Sequence, residues 1–385
     1  MFRMKESSQI SLLKKLISYR SVTPHSEGAI DLISSLLSKH GFKCTKLKFS
    51  NGESVANLFA EIGQGKKNLC FAGHVDVVPP GQLQQWSCNP FKGVVKNKIM
   101  YGRGAVDMKG GIVAFLAATL QFLSTKPNAD DYKISFILTG DEEWDSQKGM
   151  VKLLDWLKKK RHNITACIVG EPTSRETVGD RIKNGSRGSL LFELIVQGTQ
   201  GHVAYNKQFD NPVTKLVQIL HELKKTKLDK GSKFFEPSNL EVTSVDVGNV
   251  ASNIIPAEAR ANFCIRFNDL HTPKQLINWA KQIVKRHAKH YRLDHKISGQ
   301  AYIVKDKALI ECIKSAVKKV QKIEPVVSCA GATSDARFIK DFCPVVEFGP
   351  LISTMHQIDE HIPLKDLFAL TKIYHAVIEN FFRKI

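Results

Sequence analysis

Apolar residues recur every third or fourth position between lysines and serines over 8–20 and again over 27–40, a spacing that predicts two amphipathic helices at the start of the chain. Short, nearly continuous apolar runs follow at 56–62 and 68–78, which read as strands. A long helix is predicted over 109–125, opened by Gly110-Gly111, then a strand over 133–139, a helix over 147–160 and a short buried strand over 165–170. Strands alternating with helices in this way predict an α/β layer structure. After Glu171-Pro172 the texture changes: strand 189–198, helix 212–225, strands 239–248 and 259–267, helix 272–290. That order predicts a mainly antiparallel sheet with helices on one face. From about 305 the alternation returns as a helix in ALIECIKSAVKKVQ, a strand in PVVEFG and a final helix over 364–382. The expected fold class is therefore α/β: a domain with a central mixed sheet flanked by helices, residues 1–186 and 300–385, interrupted by an inserted α+β domain at 187–299.

A length of 385 residues exceeds the usual single-domain size and agrees with two domains. The longest apolar stretch, Ile112 to Leu120, is about half of the roughly 20 residues a membrane span needs, so no membrane partner is expected. The first twenty residues alternate charge with apolar positions and lack the features of a signal peptide, which predicts a cytoplasmic protein. Eight cysteines without a C-x-x-C pair suggest reduced thiols, neither a disulfide framework nor a thiolate zinc site. The net charge of +19 comes from 43 lysines and 13 arginines spread along the whole chain. Dispersed lysine without a basic arm or stripe speaks against a nucleic-acid partner. It does favour the approach of a small anionic substrate, to a degree that salt reduces.

Six residues carry the candidate chemistry: His74, Asp107, Glu142, Glu143, Glu171 and His356, each placed where a predicted strand ends and a loop begins. Two imidazoles and four carboxylates make a two-zinc hydrolase the leading reading. In LCFAGHVDVVPPG, His74 and Asp76 stand two apart on a predicted strand and so share a face. Asp76 is expected to accept the second ring N–H of His74, fixing its tautomer. Glu142 and Glu143 are adjacent, so one can face a metal while the other faces the cavity. In isolation DEEWD would read as a solvated acidic turn, and each lone histidine as a satisfied core or surface residue. It is the ordered set that points to a metal centre.

The chain also resembles a known family. GHVDVVPPG with WSCNPF, then YGRGAVDMKGG, TGDEE, GEPTS, KNGSRGSL, QGHVAY, DNPV, TSDARF and EFGP with MHQIDE follow one another as in the zinc-dependent aminoacylases and carboxypeptidases, from about residue 8 to the carboxyl terminus. The resemblance implies that His74 and Glu171 hold one zinc, Glu143 and His356 the other, and that Asp107 bridges them, with cobalt able to replace zinc. It implies Glu142 as general base to the attacking water. It makes the inserted domain a dimerisation and lid domain, with His202 reaching the active site of the other subunit of a homodimer to stabilise the oxyanion. It further implies that Arg187, Tyr205, Asn253, Arg266 and Thr333 bind the substrate, a small anionic acyl-amino acid whose amide is hydrolysed. Three positions depart from the family: Ser186 where a second arginine is usual, Trp144 in place of glycine, and Asn206 in place of proline. Serine removes one expected carboxylate contact, and Trp144 is placed to reshape the cavity wall. The competing readings are a deacylase of another acyl-amino acid, a dipeptidase, or a non-catalytic binding or dimer scaffold. The intact set of five ligands and a base argues against the last.

Overall fold

A computed structural model describes residues 4–51, 53–144, 146–205 and 208–383. Asn206 lies outside the described residues. The chain forms two compact units, one of residues 1–184, 304–328 and 334–385, the other of 185–303 with 329–333. Thr333 thus clusters with the inserted segment.

The first unit is built on an eight-stranded sheet in the order Lys43–Asn51, Glu53–Ile62, Lys133–Thr139, Asn68–His74, Ala166–Val169, Val345–Glu347, Arg181–Lys183, Val326–Ser328. Four neighbouring strands at its centre, Lys133–Thr139, Asn68–His74, Ala166–Val169 and Val345–Glu347, run parallel. Glu53–Ile62 pairs antiparallel with Lys133–Thr139 on one side and with the edge strand Lys43–Asn51 on the other, so the sheet is mixed. Alternate residues of the central strands, among them Leu69, Phe71, Ile134, Phe136 and Leu138, share one core with helices Glu6–Ser18, Ala29–Lys39, Lys109–Leu123, Lys307–Gln321 and Leu364–Phe382. Helix Met150–Lys159 covers the other face, its Trp156 ring 5.8 Å from Phe59. Lys109–Leu123 is apolar all round because it is buried between helices on both sides. Its first turn is pressed against the sheet: a Cβ on Gly111 would stand 2.5 Å from the carbonyl of Gly170. Only glycine permits that approach.

The second unit is a four-stranded antiparallel sheet, Asn239–Asp246, Glu258–Phe267, Gly188–Gln197, Tyr291–Gly299, with helices Pro212–Lys225 and Pro273–His287 sharing its core. Both helices open on proline with a side-chain cap, Asn211 in one and the Thr272–Gln275 capping box in the other. Among the described residues, no helix is long and apolar enough to cross a membrane.

Several expected boundaries move. The strand expected over 68–78 leaves the sheet after His74, because Val77 pairs instead with Val22 and the backbone at 21–23. The helix expected over 272–290 stops at His287, and an unexpected edge strand begins at Tyr291. The strand Lys43–Asn51 was likewise not anticipated.

Candidate metal centre

The carboxyl ends of the parallel strands lie at one edge of the sheet, the usual place for a ligand in an open α/β sheet. His74 is the last residue of its strand. Glu142 and Glu143 lie in the turn after Lys133–Thr139, Glu171 two residues beyond Val169, and His356 in the loop after Val345–Glu347. Asp107 precedes helix Lys109–Leu123. Five of these residues supply donors that converge in two groups. The donor atoms of His74, Asp107 and Glu171 lie within 4.8 Å of one another, as do those of Asp107, Glu143 and His356. Asp107 belongs to both, one oxygen 3.2 Å from His74 Nε2 and the other 3.0 Å from His356 Nε2. Glu171 stands 3.6 Å from His74 Nε2, and Glu143 2.9 Å from His356 Nε2.

Local chemistry explains how the acidic turn is held. The carboxylate of Asp141 accepts from the backbone N–H of Lys148 and Gly149, tying the turn to the start of helix Met150–Lys159. Asp76 accepts from the backbone N–H of Glu142 at 3.3 Å and Glu143 at 3.1 Å. His74 Nδ1 is 3.0 Å from the Asp76 carbonyl and 3.6 Å from its carboxylate. The expected orienting contact to His74 is therefore made more closely by the backbone of Asp76, while its carboxylate aligns the glutamate pair. The carboxyl of Glu142 belongs to neither donor group.

The electrostatics are those of a cluster short of positive charge. Asp107, Glu143 and Glu171 find their counter-charges in His74 and His356. Hydrogen bonds to Asp107 and Glu143 push His356 up to about 10. Burial works against a charged His74, but its contacts with Asp107, Asp76 and Glu171 outweigh it and hold the imidazole well above its ordinary range. Glu171 is pushed to about 8 by burial and by the charge of Asp107, and Glu142 is raised by burial and by Glu171. Each group thus holds protons that divalent cations would displace, so the residues fit metal ions in chemistry as well as in spacing. An imidazole in each group favours a first-row transition ion over calcium or magnesium.

The remaining predicted residues lie in the second unit. His202 and Ile254 face each other across a two-residue ladder, the Val203 N–H donates to the Asn253 carbonyl at 3.0 Å, and the Tyr205 ring lies 5.4 Å from that of His202. This brings His202, Tyr205 and Asn253, from segments some fifty residues apart in sequence, side by side at the exposed surface. Arg266 donates to the Thr333 hydroxyl at 2.7 Å. Arg187 is engaged with the Pro237 carbonyl and the Asn239 side chain, each at 3.0 Å, and Ser186 is buried. Trp144 is 54% exposed, with Lys148 Nζ 5.6 Å from its ring centroid.

Several buried charges were missed in the sequence, among them three near the site. Neither oxygen of Asp335 has a hydrogen-bond partner among the described residues, and burial pushes its carboxyl to about 7. Arg103 and Glu360 form a buried ion pair at 2.8 Å beside Asp107. YGRG and MHQIDE contain them, but a charge in a motif does not announce burial.

A sequence model of peptidase family M20/M25/M40 matches residues 70–380. The chain belongs to this family. Among curated M20 relatives, a succinyl-diaminopimelate desuccinylase of Ehrlichia canis is 46% identical over 375 residues, covering 97% of this chain and 98% of that protein. Among solved M20 structures, a metallo-carboxypeptidase of Sulfolobus solfataricus superposes with a TM-score of 0.80 at 20% identity, covering 97% of this chain and 99% of that one. A dinuclear metal-binding peptidase of Bacillus subtilis gives 0.70 at 14% identity, with 97% of each chain covered. The M20 fold is thus the fold of this protein, and it is a metal-dependent hydrolase fold.

Proposed function

We propose that this protein hydrolyses N-succinyl-LL-2,6-diaminopimelate to succinate and LL-2,6-diaminopimelate with two zinc ions per subunit, which cobalt can replace. The observation that carries the reading is the single carboxylate of Asp107 shared by two donor groups, supported by the near full-length likeness to a succinyl-diaminopimelate desuccinylase. His74 and Glu171 would hold one ion and Glu143 and His356 the other, with Asp107 belonging to both donor groups. Metal held there would polarise the amide carbonyl and acidify water. Glu142 accepts the proton of the attacking water and returns it to the leaving amine. Asp76 fixes the turn that carries Glu142 and the ring of His74. Arg187, Arg266, Thr333, Tyr205 and Asn253 recognise the substrate's carboxylates and backbone, arginine because its planar fork matches a carboxylate. His202 stabilises the oxyanion in the site of the neighbouring subunit of a cytoplasmic homodimer, within lysine and cell-wall precursor synthesis.

Zinc-loaded enzyme is expected to release free amine from N-succinyl-LL-2,6-diaminopimelate much faster than from N-acetylornithine. Equal or reversed kcat/KM would transfer the assignment to a deacylase of another acyl-amino acid with the same metal ligands. The ligand assignment is tested apart from activity. His356→Ala should retain roughly one zinc per subunit, and His74→Ala should empty the other position. Metal analysis that finds two zincs in both variants would overturn it.

A further inference from the structure

Asp107 and His356 come from segments about 250 residues apart, yet their side chains meet at 3.0 Å. The connection runs through a buried charge pair. The carboxylate of Glu360 is inaccessible and accepts four hydrogen bonds: from Arg103 Nη1 at 2.8 Å and Gly104 N at 3.0 Å on one oxygen, from Val106 N at 2.9 Å and Asp107 N at 3.1 Å on the other. A buried carboxylate is tolerated when its lone pairs are satisfied in this way, and such a group fixes whatever donates to it. The guanidinium of Arg103 reaches the other way. It donates to the carbonyls of Gln357 at 3.1 Å and His356 at 3.4 Å, and lies 5.2 Å from the Trp86 ring centroid. Antiparallel pairing of Ile99–Tyr101 with His361–Pro363 completes the seam.

His356 itself has a φ of 62°, a left-handed backbone that a residue with a Cβ adopts only when its surroundings hold it there. The bond from Arg103 to its carbonyl is one such restraint. By contrast, His74 ends a strand of the sheet ladder and Glu171 follows another, so their placement is set by the sheet.

We infer that the Arg103–Glu360 pair is a positioning device that sets the spacing of Asp107 and His356 and so governs metal occupancy at the position these two share with Glu143. This rests on the two-metal reading above. Neither residue belongs to a donor group. Their action passes through the backbone of two ligands, an outer-layer role whose loss typically weakens metal affinity by about 10–100-fold.

The test is zinc binding to the intact enzyme, by metal analysis after dialysis and by competition with a chromophoric chelator. Glu360→Gln places an amide N–H₂ against donors and should weaken the second zinc by about 10–100-fold while the first stays at wild-type affinity. Its kcat at limiting zinc should fall and recover when free zinc is raised, a rescue that general misfolding would not show. Arg103→Lys keeps the charge but loses the fork to two carbonyls, and should fall between wild type and Glu360→Gln. If Glu360→Gln does not fold, Arg103→Lys decides by the same measurements. Two zincs at wild-type affinity in the folded variants, or equal weakening of both, would overturn the inference. His356→Ala serves as the reference: if that variant also keeps two zincs, the ligand assignment has failed, whereas one zinc there with two in Glu360→Gln leaves only the positioning role refuted.

Discussion

Replacing Glu142 with alanine is expected to leave both metals bound and to lower kcat by roughly 10²–10⁴-fold, the loss typical of a general base. The expectation follows from the separation of roles in the turn after strand Lys133–Thr139. Glu143 stands 2.9 Å from His356, within one donor group, whereas the Glu142 carboxyl joins neither group, and the Asp76 carboxylate fixes the turn by accepting from the backbone N–H of both residues. Burial and the neighbouring Glu171 raise its proton affinity, as suits a group that must take a proton and give it back. Metal content and kcat should be measured on the same preparation. Full metal with a fall in kcat of less than about tenfold would remove Glu142 from the role of base.

His202→Ala should lower kcat by roughly 10²–10³-fold, the scale of one lost oxyanion donor, with zinc content unchanged. The residue is exposed at the ladder it forms with Ile254, and its Nδ1 accepts from the Ala204 N–H at 3.1 Å, which leaves Nε2 to carry the proton and donate. Mixed dimers separate action in cis from action in trans. A His202→Ala subunit paired with a Glu142→Ala subunit would own one site with both groups intact if His202 serves its neighbour, and about half the activity of a wild-type dimer should return. A verified heterodimer that stays inactive would confine His202 to its own subunit or to no role.

What the sequence reveals depends on whether a residue's environment is local. Helix Pro212–Lys225 and strand Lys133–Thr139 match their expected bounds because cap, turn and periodicity agree over consecutive residues. Strands Lys43–Asn51 and Tyr291–Gly299 escaped because they lie at sheet edges, where one side of the ladder has no partner and polar residues such as Lys46 and Lys48 or Asp294 and Lys296 fill the pattern. The five residues that converge were readable because each lies in a recognisable motif, GHVDVVPPG, YGRGAVDMKGG, TGDEE, GEPTS or MHQIDE. The seam of Arg103 and Glu360 was not, since its meaning lies in a 2.8 Å contact across most of the chain. The same holds for Asp76, whose position two residues from His74 suggested a carboxylate contact that its own carbonyl makes more closely.

The donors at the sheet's carboxyl edge span residues 74 to 356, contributed by several strands and by loops that meet only when the sheet is assembled. An unfolded chain cannot gather them, so metal binds the native state alone and its binding energy is added to folding. A ligand at a hundred times its Kd contributes about 2.7 kcal/mol in this way, a large share of the 5–15 kcal/mol that holds a typical domain together. Starved of metal, the chain keeps a knot of crowded carboxylates without the ions that join them. Its abundance in the cell would then follow metal supply through degradation of the unfolded chain, independently of any effect on turnover number.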